Sequence, residues 1–441
     1  MLDPHLRISN HCWRGECFLP TRPPAADGVN VGTWAELGGR FAFAQRSDER
    51  VILARDPLGL NKLFFAIHEQ RGVVAANYLA DLRIRGVPFE AIYAVPAGTS
   101  IEIAVKQQML ICRRFHVLKK KTSQTSADPS AVLARTRNEL GHYFERLSQQ
   151  FPTARIAVCL SGGLDSALVA AIAREYFSGI IAYTYSYNVT DGDRSEDVSL
   201  AQETAAYLGL PFRQVQAGRA DVLGALRDAV FFAQDWRDFN VHCAIVNVLL
   251  ADAIARDAKA DAETSEILVL TGDLMNELLA DYEPVWYRGK EYYGLPEIDP
   301  ESLRLALVRG LQTGDREVGV FQSRGLTAIQ PYGAVFRSLL LLPCAADKRD
   351  VIRTLAGNLL PTAFYRRVKV RAQIGDTEVK RGILPLLIDS GRDGEWLERF
   401  SCDVFGVPDP RVLRNFIRAG IYRPCQSWPP RRCGQSGYLK I

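Results

Sequence analysis

Up to about residue 117 the apolar positions come in short runs broken by turn residues: RFAFAQ (40–45), RVILAR (50–55) and KLFFAI (62–67). Runs of this length predict strands, and Asp56-Pro-Leu-Gly59 reads as a turn between two of them. TSIEIAV (99–105) and QMLICRRF (108–115) predict a closing hairpin. Residues 118–130, LKKKTSQTSADPS, are polar and read as a linker, with Lys119–Lys121 a solvated tether.

From 131 the period lengthens. AVLARTRNELGHYFERL is helical, RIAVCL a strand, SALVAAIAREYF a helix, IIAYTYSY a second strand. SEDVSLAQETAAYLGL is a second helix of this series, capped by Ser195, with Glu196 and Asp197 suiting its positive N-terminus and Gly209 ending it. VHCAIVNVLLADAIA is another helix and EILVLTG a third clear strand. Strands alternating with helices imply a doubly wound parallel sheet covered on both faces. Residues 300–422 read as mainly helical, and the proline- and arginine-rich tail, 423–441, as loosely ordered. The organisation expected is therefore 1–117, a linker at 118–130, 131–422 and a tail at 423–441.

Composition adds bounds. The chain has 441 residues, 47% hydrophobic and 24% charged, with net charge +4. That is globular composition, long enough for two domains. The charge is too small to argue for nucleic acid and is compatible with an anionic ligand. Nine cysteines form no CxxC pair, which favours a reduced cytoplasmic protein. The start MLDPHLRISN has no apolar signal core, and no run of 18 apolar residues occurs. Export and membrane insertion are not expected.

The candidate chemistry begins at Ser161-Gly-Gly-Leu-Asp-Ser166, between a strand and a helix. Gly162 and Gly163 allow close backbone approach to an anion, and their N–H groups with the following helix N-terminus are expected to point at it. Ser161 and Ser166 can donate hydroxyl hydrogen bonds. Asp165 would repel a bare phosphate, so its presence points to Mg²⁺ between it and the phosphates. The loop is neither a Walker loop, which ends in Gly-Lys-Ser/Thr, nor a dinucleotide GxGxxG.

This loop resembles the SGGxDS loop of the ATP pyrophosphatases, which cleave ATP between the α and β phosphates. Leu270-Thr-Gly-Asp-Leu-Met-Asn-Glu-Leu-Leu-Ala-Asp-Tyr282 resembles the SGEGxDELFGGY segment of glutamine-dependent asparagine synthetases. Gly325–Tyr332 resembles their GxExRxPF segment, and Lys348–Arg353, Leu360-Pro361 and Arg366–Lys369 their K-x-x-L-R…LP…R-x-K run. Gly38–Ala44 and Leu53–Gly59 are similar to their N-terminal glutaminase domain. The resemblance implies a degenerate Ntn-hydrolase-like αββα domain followed by an ATP-pyrophosphatase domain.

The departures are informative. The family's glutaminase opens on a cysteine after Met removal; here position 2 is Leu2, and Cys12 and Cys17 lack the neighbours of that start. The RGPD-like glutamine-binding segment is also missing, so a packing relic without glutaminase activity is expected. Asp273 stands for the family's Glu, and Asn276 for its second Mg²⁺-binding Asp, with Glu277 able to compensate. Thr327 and Ile329 replace a Glu and an Arg that line the acceptor pocket in relatives, which argues against aspartate as substrate. Loss of the glutaminase with an altered acceptor pocket resembles the β-lactam synthetases and the macrolactam cyclases of lasso peptides.

The resemblance implies ATP and Mg²⁺, adenylation of a carboxylate, and attack by an amine of the same molecule. Lys369 would stabilise the pentavalent phosphate and the acyl oxyanion. Asp273 would accept the amine proton, with Glu317 its partner. Ser161, Gly162, Gly163, Asp165 and Ser166 would hold the phosphates, Tyr185 and Ser186 would flank adenine, and Thr271 and Gly272 would complete the nucleotide site. Asp165, Asn276 and Glu277 would hold the metal. Trp236, Arg237 and the aromatic segment WYRGKEYYG (286–294) are candidates for the acceptor pocket, and His142 and His242 read as helix-face residues. The alternatives are an amidotransferase fed by free ammonia or a partner glutaminase, and a weakly catalytic ATP- or peptide-binding scaffold. The partners implied are a small-molecule or peptide substrate and a precursor peptide or biosynthetic partner protein.

Overall fold

The computed structural model describes residues 2–19, 31–47, 50–68, 72–104, 109–119, 128–187, 195–260, 266–314, 316–367, 371–374, 381–413 and 436–440. The short apolar runs of the first part form strands: β1 (Leu2–His5), β2 (His11–Arg14), β3 (Cys17–Phe18), β4 (Leu37–Arg40), β5 (Ala42–Ser47), β6 (Arg50–Arg55), β7 (Phe64–His68), β8 (Gly72–Ala76), β9 (Tyr93–Ala94), β10 (Thr99–Ala104) and β11 (Met109–Arg114). One sheet runs β1-β8-β7-β9, and another contains β11-β10-β6-β5. The hairpin expected at 99–115 is β10 against β11, antiparallel.

Side chains alternate between two cores with the period of a strand. Val51 and Leu53 of β6 meet Phe65, Val73 and Ala75 of the other sheet, while Ile52 and Ala54 turn to Trp34, Phe41 and Phe43. Both faces of β6 are buried, so its sequence is apolar throughout instead of alternating with polar residues. Asp56 makes the turn after it. Its Oδ1 accepts from the N–H of Leu58 (3.1 Å) and Leu60 (3.0 Å), and its Oδ2 from that of Asn61 (3.0 Å). Among the described residues before 118 the α-helix is α1 (Leu79–Ile84). The outer face of β7 and β8 is instead covered by helices from later in the chain.

The second part builds a five-stranded parallel sheet: β12 (Arg155–Cys159), β13 (Ile180–Tyr187), β14 (Phe212–Ala217), β15 (Ile267–Leu270) and, after a short antiparallel hairpin of β16 (Val285–Tyr287) and β17 (Lys290–Tyr292), β18 (Thr327–Ile329). The order is β14-β13-β12-β15-β18, with every neighbour parallel. The chain steps to one side of β12 for β13 and to the other for β15. The crevice therefore opens at the carboxyl end of β12, where open α/β sheets place ligands. Strands β14 and β18 extend the sheet beyond the three read from the sequence.

The connecting helices are α2 (Pro129–Gln150), α3 (Leu164–Tyr176), α4 (Glu196–Leu208), α5 (Arg219–Ala233), α6 (Asp238–Ala260) and α7 (Met275–Leu279). Helix α4 has the expected ends: the Ser195 hydroxyl accepts from the Val198 N–H (3.4 Å), and Gly209 caps it at φ 66°. By length and hydropathy α6 would suffice to cross a membrane, but 67% of that stretch is buried inside the fold, as expected of a core helix. Helices α8 (Pro300–Gly314), α9 (Val318–Ser323), α10 (Pro331–Ala334), α11 (Phe336–Leu339), α12 (Lys348–Ala356), α13 (Ile383–Asp389) and α14 (Gly394–Phe405) complete the expected helical remainder. The tail departs from expectation: Ser436–Lys440 is a strand, β19, antiparallel to Met109–Arg113 of β11. The edge of a sheet offers unpaired N–H and C=O groups to any extended segment that reaches it. Linker residues 120–127 lie outside the described residues.

Candidate functional site

Leaving β12, the chain makes the SGGLDS turn and enters α3. The loop is fixed by its own side chains. The Ser161 N–H donates to Ser166 Oγ (3.0 Å), and the Gly163 N–H to Ser161 Oγ (3.1 Å). The Gly162 N–H does not point outward as expected. It donates to Asp197 Oδ1 on α4 at 2.7 Å, a buried carboxylate sitting where an anion was foreseen. A Cβ on Gly162 would lie 2.8 Å from that oxygen and 2.9 Å from Leu200 Cβ, so glycine is needed for close packing on α4. Gly272, after β15, is tighter still: its Cβ would lie 2.5 Å from the Ser166 backbone nitrogen.

Behind the loop, Lys348 at the start of α12 reaches across the crevice. Its Nζ lies 3.0 Å from Asp165 Oδ2, 2.8 Å from Asn276 Oδ1 and 2.6 Å from Asp281 Oδ2. Burial pulls the lysine pKa down, but Asp165 and Asp281 outweigh it and hold the ammonium above its ordinary value. The other carboxylate oxygen, Asp165 Oδ1, is buried and makes no hydrogen bond.

A second charge cluster lies deeper. Arg316 pairs with Asp273 (3.5 Å) and Glu277 (3.8 Å) and stacks over Phe239 of α6, 5.2 Å from the ring centre. Glu277 accepts from the Tyr282 hydroxyl (2.6 Å), and burial pushes its carboxyl pKa up. Glu317 Oε2 accepts from Thr271 Oγ1 (2.8 Å) and Gln330 Nε2 (2.9 Å). His242 is bonded through Nδ1 to the Tyr293 hydroxyl (2.6 Å), and burial lowers its pKa to about 3. It is thus a buried neutral imidazole, whereas His142 is exposed on α2 beside Glu145.

These groups surround a cavity of about 520 Å³. Its wall includes all the predicted residues of the loop, 161–163, 165 and 166. Tyr185, Thr271, Gly272, Asp273, Asn276 and Glu317 also line it. Ser186 is buried beneath the wall, and Glu277 stands behind it against Arg316 and Tyr282. Lys369 lies outside the described residues. Trp236 packs in the core and Arg237 pairs with Asp235, so α6 faces the cavity through Phe239, Cys243 and Asn247 instead. Thr327 bonds Glu266 (3.1 Å) and Ile329 is a core residue, so neither reaches the wall. Segment 286–294 begins in the β16–β17 hairpin, and its Tyr293 packs on Phe239 (5.1 Å between centres). Cys12 is buried, and burial pushes its thiol pKa up to about 12.

Sequence reasoning gave Lys348, Asp281 and Arg316 no role at the site, and Asp197 only that of a helix N-terminal acid. Lys348 and Asp281 lay inside segments already singled out, while nothing local to Asp197 signals its contact with Gly162. Among the described residues no group of three or more His, Cys, Asp or Glu stands ready for a metal. The donor set nonetheless suits Mg²⁺, which takes one or two carboxylates together with phosphate oxygens and waters. Asp165 and Asn276 face one point, and the unsatisfied Asp165 Oδ1 is a donor atom in want of a partner.

Residues 147–318 match the asparagine synthase family. Glutamine-hydrolysing asparagine synthetases of Gallus gallus and Mus musculus are each 24% identical to the chain. The first aligns over 57% of this chain and 47% of its own length, the second over 56% and 46%. The aligned region is thus about half the length of these relatives. Among solved structures, a glutamine-dependent NAD+ synthetase from Acinetobacter baumannii, in complex with ADP, covers 76% of this chain and 51% of its own. Its identity is 16% and its TM-score 0.31.

Proposed function

We propose that the chain is an ATP-dependent amide-forming ligase that adenylates a carboxylate and lets an amine of the same molecule displace AMP. One observation carries this reading: a Ser-Gly-Gly loop, an aspartate with an unsatisfied buried oxygen and the Thr271-Gly272 turn meet around one cavity at the switch point of a parallel sheet. The asparagine synthase match spans these same segments. In the first step a carboxylate oxygen bonds to the α-phosphorus, the α–β bridge breaks and pyrophosphate leaves. In the second the amine nitrogen bonds to the acyl carbon, the bond to AMP breaks and a proton leaves the nitrogen.

The Ser161 hydroxyl and the N-terminus of α3 are proposed to meet the phosphates, with Ser166 bracing the loop by accepting from the Ser161 N–H, and Tyr185 is proposed to flank the base. A Mg²⁺ ion held by Asp165 and Asn276 would neutralise phosphate charge. Asp273, on the cavity wall and 32% exposed in its side chain, is the carboxylate placed to take the amine proton. Glu317 holds Thr271 in position, and Lys369 is proposed to face the oxyanion. Thr327 and Ile329 stand where the resembled segment carries Glu and Arg, and on that difference the acid is proposed to be other than aspartate. The amine is proposed not to come from glutamine hydrolysed in the first part of the chain, where position 2 is Leu2 and Cys12 is a core residue.

The test uses ATP labelled at the α-phosphate with a panel of carboxylates that also carry an amine. AMP and pyrophosphate should form with a suitable acid, and Asp165→Asn and Lys369→Ala should each lower the rate by ~100-fold or more. Release of ADP in place of AMP, or full activity in both variants, rejects the reading.

A further inference from the structure

The group seated in the crevice is the chain's own ammonium. Lys348 Nζ lies within 3.0 Å of one oxygen each from Asp165, Asn276 and Asp281. Its side chain is only 12% exposed, and that of Asp165 15%. Two carboxylates and an amide oxygen converging on one point form the hard oxygen set that a divalent cation takes. A purely structural ion pair would need one carboxylate, and would not leave Asp165 Oδ1 buried without a donor.

Local geometry explains how Asp281 comes to share this point with Asn276. Helix α7 ends at Ala280 in the left-handed region, φ 55°. The turn brings the Asp281 N–H back to the Asn276 carbonyl at 2.9 Å, a Schellman-type closure. Two side chains five positions apart then face the same way. Set beside the SGEGxDELFGGY segment, the chain lacks a carboxylate at 276 and carries one at 281, where that segment has glycine. The charge of the seat is kept while its bearer has moved.

We propose that Asp281 supplies the second carboxylate of a divalent-cation seat, and that Lys348 is a tethered cation filling that seat until a nucleotide-bound metal displaces it. This rests on the nucleotide reading above. Without metal, the single ammonium offsets one of two carboxylate charges and keeps the two acids from repelling each other. With metal, the lysine swings out toward the phosphates, where its charge remains useful.

The experiment is Mn²⁺ binding to the full chain, followed by electron paramagnetic resonance, with and without α,β-methylene-ATP. Binding of that analogue in EDTA is measured alongside. With the analogue present, Asp281→Asn should weaken Mn²⁺ by ~10-fold or more while analogue binding in EDTA is kept. The double variant Asn276→Asp, Asp281→Asn should restore Mn²⁺ affinity by returning the charge to the helix. Lys348→Met should bind Mn²⁺ more tightly than the parent chain without nucleotide, because the competing cation is gone. Unchanged Mn²⁺ affinity in Asp281→Asn, or weaker nucleotide-free binding in Lys348→Met, overturns the proposal. Should Asp281→Asn fail to fold, the Lys348→Met comparison decides. If the parent chain binds no analogue at all, the nucleotide reading falls first and this proposal with it.

Discussion

Asp197 carries a pH signature of its own. Burial, partly offset by the Gly162 N–H, pushes its pKa from 3.8 up to about 6. The folded chain therefore holds this proton more tightly than the unfolded chain does. The stabilisation is fully present below about pH 4 and is lost as pH rises through about 6. At ~1.4 kcal/mol per unit, the two-unit shift sets a ceiling of about 3 kcal/mol. Asp197→Asn stays neutral and still offers an oxygen to Gly162. Urea titrations of the nucleotide-free protein at pH 4 and pH 7 should show the variant gaining ~1–3 kcal/mol on the parent between them. A difference that does not change with pH would remove the buried charge from the account. In the sequence Asp197 reads as a helix N-terminal acid, and it does sit there. Its bond to Gly162, 35 positions away, is invisible to any local pattern. The loop residues were legible because they are contiguous, whereas the seat of Lys348 draws on three separate segments.

At the scale of elements, α7 is the most constrained. Leu274 precedes it at φ 82°, in the left-handed region that costs a residue with a Cβ ~1–2 kcal/mol. The resembled segment has glycine there. Leucine holds the position because its side chain is buried, 1% exposed, in the core beside Met275 and Leu278. Removing that side chain should cost ~2–5 kcal/mol whichever small residue replaces it. Alanine keeps the backbone strain and glycine releases it, so Leu274→Gly should be about 1 kcal/mol more stable than Leu274→Ala. That reverses the usual order inside a helix, where glycine is worse by about 1 kcal/mol. Thermal or urea unfolding of the pair checks it, and the ordinary order would mean that the positive φ is not kept in solution. The elements most legible in the sequence were those with a long or doubly buried apolar pattern, such as β12, β13 and α3. β14, FRQVQA, is only partly buried apart from Ala217, so its apolar signal is diluted. β18 has three residues, TAI, too few to show a period. β19 lies in a stretch whose prolines and arginines speak against order, and its pairing with β11 depends on an edge the local sequence cannot reveal.

At the scale of the molecule, packing ignores the change of pattern near residue 118. Phe64, Val74, Tyr78 and Leu82 from the first part share one core with Val230 and Ile245 from the second. Buried polar bonds cross the same seam. The Tyr78 hydroxyl donates to the Gly319 carbonyl (2.7 Å), the Leu79 N–H to Gln234 Oε1 (2.7 Å), and Arg40 Nη2 to the Ala328 carbonyl (3.0 Å). Each apolar side chain on this seam is worth ~1.5–3 kcal/mol of burial, and each severed bond would leave a buried polar group unpaired at ~1–3 kcal/mol. A handful of such terms equals the whole stability of an ordinary domain, about 5–15 kcal/mol. The two sheets of the first part are therefore an integral wall of the parallel-sheet unit. The full chain should unfold in one calorimetric transition whose van't Hoff and calorimetric enthalpies agree. Residues 128–441 produced alone should aggregate or bind apolar dyes, because the faces of α5, α6 and α9 that met β7 and β8 would be bare. Two separate transitions, or a soluble and well-packed 128–441 fragment, would show that the two parts fold independently and that the shared core is only a docking surface.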